Sequence, residues 1–194
     1  MKKSYIVLAA ILIVVFSVLV YKGIIEKSNT PSRVPPNTDK QKAYESTKNG
    51  FDPMKDEAIG FIKIGVVSGD ILKKLGRPEK KSKLEVWGAD GEEHQTWYYQ
   101  AKGIELDLVG SESKQAVNMI TISSPCNLKS KRGIGIGSTR DEVLKAYKKE
   151  IDLSEVRASL TDSDELVAGT VYDGLIFDIV DDRVSSIFIG AAAE

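Results

Sequence analysis

The chain has 194 residues, 42% hydrophobic and 28% charged, with a formal net charge of -1, one cysteine and one histidine. That composition fits one ordinary globular domain with additions and excludes a fibre or a wholly disordered chain. A lone thiol, Cys126, makes no internal disulfide, so the fold rests on its core; one thiol and one imidazole, His94, are too few to ligate zinc.

Lys2 and Lys3 precede an apolar run from Tyr5 to Val20 broken only by Ser17, close to the ~20 residues that cross a bilayer. No small-x-small cleavage site comes after it, since Val18, Leu19, Val20, Tyr21 and Lys22 stand there. Residues 1–22 therefore read as an uncleaved signal anchor, a transmembrane helix with the bulk of the chain outside the cytoplasm; secretion after cleavage is the alternative. Residues 23–57 hold Pro31, Pro35, Pro36 and Pro53 among small and polar residues. They read as a flexible linker that holds the C-terminal domain on the order of 30 Å from the membrane.

A pattern then occurs twice, in residues 58–125 and 126–194. Ile64 to Leu75 (IGVVSGDILKKL) aligns without a gap on Ile136 to Tyr147 (IGSTRDEVLKAY). Each stretch predicts a short helix. In the first, Ser68 is positioned to cap, Ile71, Leu72 and Leu75 share a face, and Gly76 and Pro78 end the helix. In the second, Thr139 and Glu142 form a capping box, with Val143, Leu144 and Tyr147 on the apolar face. Between the helix and the next shared stretch of the first copy, Lys83 to Trp87 and His94 to Gln100 predict a hairpin around Asp90-Gly91, with His94 as an exposed strand residue. Gly103-Ile-Glu-Leu-Asp-Leu matches Gly174-Leu-Ile-Phe-Asp-Ile, and Val117-Asn-Met-Ile-Thr-Ile matches Val184-Ser-Ser-Ile-Phe-Ile. Ile104, Leu106 and Leu108 alternate with Glu105 and Asp107, as in an antiparallel sheet with one buried and one wet face. The shared Val-x-x-Ile-x-Ile offset breaks alternation where a bulge would. Leu166 to Tyr172 predicts one more strand. A unit this small cannot bury its apolar face alone, so the two copies are expected to pair. The expected fold class is α+β: two tandem repeats of a helix plus antiparallel strands sharing one sheet in a domain spanning 58–194, preceded by the transmembrane helix.

Several chemical motifs fail on their residues. Gly133-Ile-Gly-Ile-Gly-Ser lacks the last glycine of a dinucleotide fingerprint and the lysine of a P-loop. Asp162-x-Asp164 leads to Leu166 where a calcium loop needs a ligand. Asp173, Asp178, Asp181 and Asp182 are carboxylates of the kind acid–base catalysis uses, yet turns and strand ends carry such residues routinely. No enzyme, cofactor or metal is assigned. Nor is nucleic acid a partner, because no basic stripe interleaved with aromatics is present. Residues 151–194 instead hold ten acidic residues against two basic ones, a surface that steers basic partners or is simply solvated.

The aromatic-rich hairpin offers the contact candidates. Trp87, Trp97, Tyr98 and Tyr99 cannot all face one core, because side chains alternate across a sheet. With the turn residues Asp90, Glu92 and Glu93 they form the expected partner-binding patch.

The repeated Ile64-Gly65 and Ile136-Gly137 openings, each leading into a helix and the Gly103–Leu108 or Gly174–Ile179 strand, resemble the β-lactamase inhibitory protein fold and the small envelope lipoproteins of the outer-membrane assembly type. The resemblance spans about Phe61 to Gly190. It implies an exported, non-catalytic protein that uses a sheet and its loops to hold another protein. Cys126 stands alone where those inhibitors have paired cysteines, and the lipoproteins' lipidated cysteine is absent near the start, so no binding residue carries over. The expected activity is thus a membrane-anchored extracytoplasmic binding module for an envelope or secreted protein. The alternatives are an inhibitor of an exported enzyme such as a β-lactamase, a carboxylate-dependent enzyme and a small-ligand sensor.

Overall fold

The computed structural model describes residues 50–151, 157–158, 163–170 and 173–191. The expected signal anchor and nearly all of the linker lie outside the described residues. Among those described, no helix is long and apolar enough to cross a membrane.

The two Ile-Gly turns do the same local job. Gly65 and Gly137 have φ of 84° and 83°, a left-handed conformation that a β-carbon disfavours. This bend aims each glycine N–H at the first valine of a strand: Gly65 donates to the Val117 carbonyl at 2.7 Å and Gly137 to that of Val184 at 2.8 Å. The valines donate back, Val117 to Val66 O at 2.9 Å and Val184 to Ser138 O at 2.8 Å. A helix comes after each turn. Helix α1 (Pro53–Asp56) precedes both, capped by the Asp52 side chain. Helix α2 (Ser68–Leu75) starts after Val67 with no side-chain cap, so the expected Ser68 cap is not formed. Gly76 ends it at φ 82°. Helix α3 (Arg140–Ala146) has the Thr139–Glu142 capping box.

Strands β1 (Lys80–Lys81), β2 (Glu85–Val86), β3 (Glu93–Tyr99), β4 (Ile104–Val109), β5 (Ala116–Ser123), β6 (Arg157–Ala158), β7 (Ser163–Gly169), β8 (Gly174–Val180) and β9 (Arg183–Gly190) form one sheet. Its order is β1-β3-β4-β5-β9-β8-β7-β6, with β2 also on β3, and every pairing is antiparallel. The Val-x-x-Ile offset is a bulge in both places: register shifts at Asp107/Leu108 and Asp178/Ile179 leave Asn118 and Ser185 as the extra residues. Asp181 and Asp182, with φ of 49° and 61°, make the two-residue turn from β8 to β9, whose twist matches that of the strands.

The expected α+β class, two helix-plus-strand repeats behind a transmembrane helix, is corrected here. Among the described residues the α-helices have only 4, 8 and 7 residues, and a nine-stranded antiparallel sheet is the main regular structure. The physical reason is helix length. Two turns present one stripe, and α2 and α3 each fully bury a single side chain, Ile71 and Val143. The strands supply most of the rest, with Trp97, Leu106, Ile120, Phe177 and Ile187 in one continuous core, and the loop residues Ile59, Ile62, Ile134 and Tyr147 complete it.

The folded part begins upstream of the expected boundary at residue 58. The Phe51 ring packs 6.4 Å from that of Tyr147, and the Glu57 side chain is buried. Arg132 sits over both rings, forms a two-pronged pair with Glu150 at 3.0 and 3.2 Å and approaches Glu57 at 3.6 Å.

Replacing Gly65 or Gly137 by alanine is expected to cost about 1–2 kcal/mol through backbone strain alone, because open space surrounds both positions. Gly69, inside α2 and equally unobstructed, should instead stabilise by about 0.5–1 kcal/mol on the same change. Urea unfolding of the three variants reads the opposite signs.

Candidate functional site

Strand alternation gives the sheet a second face, opposite the core. Pairings across six strands place Tyr98, Glu105, Thr121, Phe188, Ile176 and Val167 in one row on it. Thr96, Asp107 and Met119 begin the next row, which continues at the β8–β9 pair Gly174 and Gly190. A β-carbon at Gly190 would meet Met119 Cγ and Phe188 Cζ, both at 2.9 Å, so these two side chains lean over the glycine. Ile176 is only 9% exposed yet has no place in the core cluster; it lies between Phe188 and Val167. Tyr98 is half-buried, with the Lys80 ammonium 5.4 Å from its ring centre. Glu105 lies within the row, and further carboxylates flank its apolar part, Asp107 on β4, Glu165 on β7 and Asp178 on β8. Glu165 and Asp178 stand directly opposite each other, and Asp178 accepts a hydrogen bond from the Ser186 hydroxyl.

At the β2–β3 end of this face lies a polar cluster. His94 is buried, with its side chain 1% exposed, and Trp87 stacks on it at 3.7 Å with the rings within 4° of parallel. Its Nδ1 is 2.8 Å from Asp107 Oδ2, and its Nε2 is 2.9 Å from Asp90 Oδ2. Asn118, the bulged residue of β5, donates to the same Asp107 oxygen at 3.1 Å. The other Asp107 oxygen is buried and receives no hydrogen bond among the described residues. An ionised carboxylate only accepts, so the imidazolium, with both ring N–H groups donating, fits this geometry. Burial pulls His94 down, but its hydrogen bonds to Asp90 and Asp107 and their charges outweigh that, and the group is held above the ordinary 6.5. Asp90 is held below the usual carboxylate range, chiefly by the Glu92 backbone N–H and then by His94.

The expected contact patch splits in two. Trp97 and Tyr99 are 2% and 1% exposed, with Trp97 Nε1 donating to Gln95 Oε1 and the Tyr99 hydroxyl to the Gly76 carbonyl. Burial pushes the Tyr99 phenol up to about 12. Neither ring is available to a partner, because residues two apart share a face and this face is the core. Trp87, Tyr98 and Glu93 are half-buried, and Asp90 and Glu92 are exposed in the turn. His94, expected to be exposed, is instead sealed beneath Trp87. Sequence reading missed the Phe188, Ile176, Val167 and Met119 surface. Its one signal was Leu175-Ile176-Phe177, where three consecutive apolar residues put at least one on the wet face.

The remaining motifs serve the fold. In the glycine run, Gly133 donates to Ser130 O, Gly135 to Ser138 Oγ and Gly137 to Val184 O, so three of its N–H groups bond within the chain. Asp173 precedes β8, Asp178 lies within it, and Asp181 and Asp182 turn out of it, with Asp182 paired to Arg140 at 3.1 Å. Roughly 3.3 Å of rise per residue keeps these carboxylates from converging. Cys126 is buried, and burial pushes its thiol up. Among the described residues no three or more His, Cys, Asp and Glu side chains gather to hold a metal ion.

No protein-family model and no curated protein matches the chain. A solved structure of a DUF4309 family protein (YjgB) from Bacillus subtilis subsp. subtilis str. 168 is similar over 78% of this chain and 94% of its own, at 16% identity and a TM-score of 0.35. A likeness that distant carries no argument about function.

Asp107→Ala leaves a buried imidazole with one partner gone and is expected to cost about 3 kcal/mol at pH 6. Glu105→Ala, two residues away on the same face but exposed, should stay within about 0.5 kcal/mol. Denaturant unfolding of both separates the cluster's contribution from that of the strand.

Proposed function

We propose that the chain is a non-catalytic binding module of the cell envelope, exported and held at the membrane by its N-terminal apolar run, which holds another protein on the outer face of its sheet. The carrying observation is the apolar row of Phe188, Ile176 and Val167 on the face opposite α2 and α3, outside the core that those helices close. Apolar side chains gathered on an outer face, with carboxylates at their rim, are the composition of a protein contact, in which rigid aromatics anchor and polar groups surround. The use of a sheet to hold another protein is also what the resemblance to the β-lactamase inhibitory protein group implies. Tyr98 and the exposed turn residues Asp90 and Glu92 border the same face and extend the contact toward the hairpin.

A photo-crosslinking residue at Thr121, the centre of the row, tests this in cells producing the full chain. It should give a protein adduct of discrete mass, and one at Lys73, exposed on α2, should not. Phe188→Asp should lower the Thr121 adduct at least about tenfold, as losing one interface anchor does. Equal adducts from both positions, or lipid alone from Thr121, would refute the reading.

A further inference from the structure

The turn between β2 and β3 closes on itself and meets the sheet through one side chain. Trp87 N donates to Glu92 O at 3.0 Å and Gly91 N to Trp87 O at 2.9 Å, while Asp90 Oδ1 accepts from Glu92 N at 3.0 Å. The ladder beside the turn is short, with Glu85 opposite His94 and Val86 opposite Glu93. Past it, the turn is held by the ring of His94, which Trp87 covers and Asp90 grips at Nε2, while Asp107 grips Nδ1 from β4.

We propose that His94 is a protonation latch: as an imidazolium it clamps the turn to the sheet, and on losing its Nε2 proton to solvent it releases Asp90 and uncovers the Trp87 ring. The proton count decides which bond breaks. A neutral imidazole keeps one N–H, so it can donate to only one of the two carboxylates. Asp107 is 7% exposed and already shared with Asn118, so it has no water to turn to and retains the Nδ1 proton. The Asp90 side chain is 44% exposed and can be hydrated once Nε2 shows it a lone pair at 2.9 Å. The elements around the ring reinforce this. Glu85, which stands opposite His94 on β2, Asp90 and Glu92 in the turn and Asp107 on β4 are acidic, Lys83 precedes β2 and Lys114 precedes β5, and β5 itself carries no charged residue. Deprotonation removes the one positive charge that His94 places between Asp90 and Asp107.

The sign of the shift gives the direction. A histidine held above its unfolded value contributes stability that is fully present below about 6.5 and is lost as pH rises through the higher folded value. The latch is closed in acid and opens toward alkaline pH.

Because His94 is the only histidine, ¹⁵N-histidine and ¹⁵N-tryptophan labelling of the full chain in detergent micelles isolates the event. The His94 ring, the Trp87 indole and, with uniform label, the Glu92 amide should move together at one midpoint above 6.5, while the Trp97 indole stays fixed. Asp90→Asn, on the exposed turn, should keep the fold, lower the His94 midpoint toward 6.5 and abolish the linked Trp87 change. The proposal is overturned if the Trp87 and Glu92 signals stay still while His94 titrates, or if Asp90→Asn leaves the midpoint where it was.

Discussion

The junction of β5 with β9 sets the register on which everything else rests. Ile120 faces Ile189, Thr121 faces Phe188, Ile122 faces Ile187 and Ser123 faces Ser186. Because side chains alternate, this register sends the isoleucines of both strands to the core and Thr121 and Phe188 to the other face. A slip by one residue would exchange the two sets. The junction also joins β3–β4–β5 to β9–β8–β7, so the apolar row on the outer face exists only because the same register holds across all six strands.

The bulges at Asn118 and Ser185 adjust that register without breaking it. Each adds a residue just beyond the valine that the Ile-Gly turn grips, Val117 in one half and Val184 in the other. The extra residue restores the core parity of the isoleucines downstream and leaves a polar side chain beside an aspartate, Asn118 with Asp107 through its amide, Ser185 with Asp178 through its backbone carbonyl. In the first half Asp107 becomes the buried anchor of His94. In the second, Asp178 stays half-exposed on the acidic part of the face, with Ser186. The same backbone device thus serves a sealed polar cluster at one end and a half-exposed surface at the other.

The outer face and the hairpin latch adjoin without sharing their chemistry. The row from Tyr98 to Val167 spans the sheet and is apolar at Phe188, Ile176 and Val167, whereas the His94 cluster is a set of charge-assisted hydrogen bonds confined to the edge. Apolar contact is indifferent to pH, while the imidazolium depends on it. Trp87 links the two, because the ring that covers His94 is also a half-buried aromatic at the margin of the proposed contact surface.

What the sequence by itself determined is local: the capping box of Thr139 and Glu142, the end of α2 at Gly76, the hairpin turn at Asp90-Gly91, and the alternation that marks β4. These were legible because residues within four positions of one another decide them. Face assignment was not legible for Trp97, Tyr98 and Tyr99, since alternation separates neighbours without saying which goes inward; only the pairing of Trp97 with Leu106 and of Tyr99 with Ile104 does so. The balance of helix and sheet escaped for a related reason, as local spacing marks each short helix and each strand without saying how many strands join into one sheet. The burial of His94 was wholly a tertiary outcome. Asp107 reaches it from a strand thirteen residues away and Trp87 folds over it from across the turn, and no spacing rule along the chain encodes a meeting that strand pairing alone creates.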